Sequence, residues 1–215
     1  MGHDRVAIRT PSPHLRQWDE NAGETACTAQ LLYMHGKLDD SFSRRKFDRQ
    51  VGRKRNQPDL MCGNLRVLLE EGFEALQISP DDLRRIATDY DYVRAAWLSD
   101  GLSETDVDEY LPGEYPDIRN RALRKLELID RYKARYTRQL GTADWSDVSG
   151  LLRDGYLVVC TVMRPAAAHD VLVTSQVGRD TFQVYNPACG LRDTVPFKIS
   201  ESAVGYRLAA GNVAA

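Results

Sequence analysis

HDVLVTSQVGRDTFQVYN, residues 169–186, alternates apolar and polar side chains on either side of Gly178-Arg179. The pattern predicts two strands, 169–177 and 180–186, joined by a tight turn. An even-numbered turn puts His169, Val171, Val173, Phe182, Val184 and Asn186 on one face. Asp170, Thr174, Gln176, Thr181 and Gln183 fall on the other. The first face is apolar, with a polar residue at the far end of each strand. In that register Asn186 lies diagonal to His169, roughly 7–8 Å away between backbones and within side-chain reach. A histidine oriented by an asparagine is two thirds of a thiol-protease triad. Asp170 points away and cannot serve His169.

Working outward, four further strands are predicted at 156–162, 194–199, 206–209 and, earlier in the chain, 73–78. Before the C-terminal strands the chain reads as helical. TACTAQLLYMHG, residues 25–36, predicts a short apolar helix with Thr25 as N-cap, Gly36 as C-cap and Cys27 in its first turn. Segment 37–55 is a charged loop or exposed helix, and 58–71 is a second helix. Helical segments are also expected over 80–99 and 145–153. An acidic loop is expected at 100–115, and a long amphipathic helix over 116–140 with Ile118, Ala122, Leu126, Ile129, Tyr132, Tyr136 and Leu140 as its apolar stripe. Helices first and strands afterwards predict a segregated α+β fold, the Cys27 helix packed on a C-terminal antiparallel sheet. The 215 residues suit one domain, 1–215, with 80–144 as a helical insertion.

Charged residues make up 28% of the chain, and the formal net charge is -2. That balance argues against nucleic acid as a partner. No segment is apolar enough to span a membrane, and the first residues lack the apolar core of a signal peptide, so a cytoplasmic location is expected. The cysteines at 27, 62, 160 and 189 form no CxxC pair and no zinc pattern. Neither a metal nor a cofactor is expected.

Cys27 is the first candidate nucleophile, because a helix N-terminus favours the thiolate. His169 would be its base, Asn186 would orient the ring, and Gln17 would donate to an oxyanion beside the Cys27 backbone N–H. The competing reading is that Cys27 is a small buried hydrophobe. Cys62 is an alternative nucleophile, since Gln57…Cys62-Gly63 has a tighter spacing. Against it, Pro58 would start that helix well before Cys62, and Gly63 would weaken it.

The order of these motifs resembles the papain-like cysteine peptidases: Gln17 before the Cys27 helix, then LLRDGYLVV at 151–159, His169-x-Val-Leu-Val, and Val184-Tyr-Asn186-Pro187. Within them it is most similar to the bacterial bacteriocin-processing (double-glycine) branch, over about 17–36 and 145–199. The resemblance implies a Cys-His-Asn mechanism through an acyl-enzyme, with Gln17 at the oxyanion. Transfer of the acyl group to water would make the chain a peptidase or amidase, and transfer to an amine an acyltransferase, as in peptide or natural-product maturation. The implied partners are a peptide or acyl-amide substrate, with a leader peptide or carrier protein docking on 80–144. A binding module with an idle thiol is the alternative.

Overall fold

The computed structural model describes residues 9–11, 15, 17, 18, 22–39, 41–53, 61–163, 168–194 and 199–209. Gln57 and Pro58 lie outside them.

The helices are α1 (Gly23–Met34), α2 (Arg44–Val51), α3 (Met61–Glu70), α4 (Leu83–Thr88), α5 (Tyr90–Ser99), α6 (Glu104–Arg131) and α7 (Trp145–Arg153). The strands are β1 (Phe73–Ser79), β2 (Tyr136–Leu140), β3 (Leu157–Met163), β4 (Ala168–Gly178), β5 (Thr181–Asn186), β6 (Gly190–Thr194) and β7 (Ile199–Leu208). They form one seven-stranded sheet in the order β2-β1-β7-β3-β4-β5-β6. The fold is α+β with helices packed on a sheet, but the sheet is mixed. β1 and β2 pair in parallel, and the other pairs are antiparallel.

The 169–186 stretch folds as a hairpin, Leu172 opposite Tyr185 and Val173 opposite Val184. Val171, Val173, Phe182 and Val184 join one apolar cluster with Val148 and Leu151 of α7. Leu172 and Tyr185, on the other face, join Cys27 and Leu31 of α1, Phe47 of α2 and Leu68 of α3 in a second cluster. The sheet thus lies between α7 on one side and α1 to α3 on the other. Ten of the twelve residues of α1 are buried, which explains why its sequence shows no polar face.

Several predicted boundaries move. Helix α1 starts at Gly23, not after Thr25, and its N-cap is Ala22, which makes no side-chain cap bond. The expected acidic loop at 100–115 is the first part of α6. Ser103 caps that helix by accepting from Asp106 N at 3.2 Å. Pro112 and Pro116 are exposed within it, while Val107 and Leu111 pack against Val93 of α5. Tertiary packing overrides the proline penalty there. At the other end the predicted helix stops at Arg131, and Tyr136–Leu140 becomes β2 alongside β1. Its Tyr136 hydroxyl donates to Gln77 Oε1 of β1 at 2.6 Å. Segment 80–144 therefore adds three helices and an edge strand to the main sheet. The last strand, expected at 206–209, runs from 199 to 208 and sits mid-sheet between β1 and β3.

Gly63 has a steric role. A Cβ built there would lie 1.8 Å from the backbone oxygen of Val51, so α3 meets the end of α2 at backbone distance. Gly63→Ala is expected to destabilise the fold by roughly 1–3 kcal/mol through overpacking. Its urea midpoint, measured beside the parent chain, tests this.

His35 follows α1, its ring edge-on to Phe73 at 5.0 Å between centroids. Among the described residues neither ring nitrogen has a hydrogen-bond partner. Burial, then the charge of Lys37, lowers its pKa from 6.5 to about 4. The unfolded chain takes up this proton first, so the stability is fully present above pH 6.5 and declines as pH falls towards 4. The loss is at most on the order of 3 kcal/mol. Denaturation midpoints between pH 7 and 4 should fall less steeply in His35→Leu than in the parent.

Candidate active site

The ends of β4 and β5 bring His169 and Asn186 together, with 2.7 Å between His169 Nε2 and Asn186 Oδ1. Asn186 Oδ1 also accepts the backbone N–H of Ala188 at 2.9 Å, which identifies that amide atom as the acceptor. His169 Nε2 must then carry the proton, leaving Nδ1 with its lone pair available as a base. Asn186 is only 3% exposed, and among the described residues its Nδ2 has no hydrogen-bond partner. Gln17 reaches the same end of the sheet, where its backbone N–H donates to Pro187 O at 2.9 Å. The Tyr185 hydroxyl donates to Leu15 O and fastens the same lead-in segment to β5.

Cys27 is placed differently. It is the fifth residue of α1, one turn in from the start. Its side chain is 0% exposed, within the core cluster that holds Leu172 and Tyr185. Ala26 N already bonds Ala22 O, so at Cys27 the backbone N–H lies within the intrahelical ladder, beyond the first turn. Strand alternation separates it further from the histidine. His169 shares its side of β4 with Val171 and Val173, in the cluster over α7, whereas Asp170 shares its side with Leu172 and faces α1.

The residue of α1 that meets β4 at the helix start is Gly23. A Cβ on Gly23 would lie 3.2 Å from Asp170 Oδ2. Thr161 Oγ1 donates to Asp170 Oδ1 at 2.7 Å and holds that carboxylate in place. The positive end of the helix dipole thus faces a built-in carboxylate where the sequence suggested a thiolate. Alternation along β4 identified Asp170 as facing away from His169. What it faces could not be read without the earlier helix start.

The other thiols lie in three different settings. Cys62 is half-buried and donates to Arg121 O at 3.6 Å, and burial raises its pKa. Cys160 is buried in β3, where desolvation, then the nearby Asp170 charge, pushes it up to about 12. Cys189 lies half-buried in the turn between β5 and β6, with its N–H on Asn186 O at 3.1 Å. Among the described residues no cluster of three or more histidine, cysteine or acidic side chains could hold a metal, and no helix is long and apolar enough to cross a membrane.

No known protein family matches the sequence, and neither does any curated protein. Among solved structures, the chain is similar to the peptidase domain of Streptococcus ComA, a bi-functional ABC transporter involved in a quorum-sensing pathway. The identity is 10% and the TM-score 0.46, over 94% of this chain and 99% of that one.

Alkylation should follow exposure. Iodoacetamide at neutral pH is expected to modify Cys189 and Cys62 before Cys27 and Cys160, because the last two are enclosed. Mass spectrometry of tryptic peptides over time gives the order. Cys27 reacting first would show a thiol poised for chemistry.

Proposed function

We propose that the chain is a papain-like domain that binds a peptide beside His169 and Asn186 without cleaving it. The observation that carries this reading is the start of α1. Gly23 stands there against the Asp170 carboxylate, and Cys27 is a turn deeper with no exposed surface. A nucleophile must come within hydrogen-bond reach of its base and of the carbonyl it attacks. A side chain enclosed among Leu172 and Tyr185 with no exposed surface is closed to an incoming carbonyl. Peptide is the ligand class because the motif order resembles that of peptidases, and because backbone groups of Leu15 and Gln17 already bond at the end of β5, at Tyr185 and Pro187.

A second reading has its own support. The His169–Asn186 bond, with Nδ1 left as the basic nitrogen, is the arrangement a Cys-His-Asn enzyme uses. In that reading Cys27 attacks a peptide, amide or thioester carbonyl, and His169 takes the thiol proton and returns it to the leaving group. Gln17 supports the oxyanion, and the acyl group passes to water or to an amine.

Both readings meet in one experiment. The parent chain, Cys27→Ala and His169→Ala are incubated with a degenerate fluorogenic peptide mixture and with a simple acyl thioester, each with and without an added amine. Retention of peptides on each immobilised protein is measured in parallel. We expect peptide retention by the parent and by Cys27→Ala, weakened in His169→Ala, with no turnover above the rate in buffer. Product release by the parent that disappears in both variants would overturn the binding reading in favour of the enzyme.

A further inference from the structure

Away from the His169–Asn186 site lies a half-open, charged cavity that neither reading uses. Between the start of α1, the end of β1 and the inner face of α6, it has a volume of about 320 Å³. It is within the size range of small-molecule sites. One wall is apolar, formed by Leu83 and Ile86 of α4 and Ile118 of α6. The other is charged, with Lys125 facing Glu24 and Asp81. Arg121 and Arg124 at the rim leave the lining with three cations against two carboxylates.

Lys125 is the unusual member. Its side chain is half-buried on α6, yet no described residue makes an ion pair or hydrogen bond with its amine. Glu24, Asp81 and Cys62 act on it only at longer range, and burial outweighs them, so its pKa is lowered. A partly desolvated amine without a direct partner carries some cost in a folded protein. An anion entering the cavity would relieve that cost through a charge-assisted hydrogen bond.

We propose that this cavity binds an aliphatic carboxylate, with its head group on Lys125 and its hydrocarbon tail along Leu83, Ile86 and Ile118. The excess positive charge selects an acid over an amine. The apolar wall selects a hydrocarbon tail over a free inorganic anion. This site is separate from the one assigned to peptide, and its existence does not depend on whether that site is catalytic.

Isothermal titration calorimetry of the full chain with hexanoate, hexylamine and hexanol tests the assignment. Hexanoate is expected to bind saturably at one site, and the amine and alcohol to bind far more weakly. Lys125→Met keeps the bulk of the stem without the charge and should weaken hexanoate roughly tenfold or more. Lys125→Arg should retain it. Ile118→Phe narrows the apolar wall and should also weaken it, which guards against a folding defect in the first variant. Absence of hexanoate binding to the parent would overturn the proposal. So would equal binding of hexylamine, or unchanged affinity in a folded Lys125→Met.

Discussion

Helix α1 is enclosed on every side, and most of the architecture follows from accommodating it. The sheet covers it through Leu172 and Tyr185, and α2 and α3 cover it through Phe47 and Leu68. Such a helix can approach its neighbours closely only if many of its residues are small, and Ala26, Thr28 and Ala29 meet that need. Close packing then leaves no passage to water for side chains beyond the first turn. Only Glu24, near the start, and Tyr33, near the end, are less than fully buried.

That start is electrostatically occupied by the protein itself. Asp170 approaches Gly23 from β4, and Glu24 lines the cavity that also holds Lys125. Two carboxylates thus lie near the helix start, where the dipole favours negative charge. The field that would lower the pKa of a thiol there is already answered by side chains of the chain. On the reading proposed above, the His169–Asn186 pair keeps the geometry of a papain-like site while the helix opposite it has exchanged a nucleophile for a fixed charge.

Much of the sheet was legible in the sequence, and for a physical reason. Strand period is a strict two, so Val171, Val173, Phe182 and Val184 declare their common face, and the polar residues ending those strands declare their proximity. Helix starts are less strictly encoded. Thr25 has the chemistry of an N-cap, but Ala22 occupies that place because burial of the whole helix outweighs one missing cap bond. This shift of one turn separates the expected position of Cys27 from its actual one. Tyr136 misled for a different reason. It continues a helical spacing from Ile129 and Tyr132, and no glycine or proline intervenes to mark the change to β2. The strand forms because an edge position beside β1 and a bond to Gln77 were available, neither of which is local information. The charged cavity was equally invisible, since Glu24, Asp81 and Lys125 are distant in sequence.

The central place of β7 sets the order in which this protein can be completed during synthesis. β1 and β3 are its two neighbours in the sheet, yet both are made well before it. Until residues 199–208 leave the ribosome, the emerging chain consists of two partial sheets, each with an uncapped edge. Such edges invite pairing with other chains. Insertion of the last strand joins the halves and covers both edges at once. Loss of part of β7 would therefore affect far more than that strand, since it would leave the sheet open through its middle.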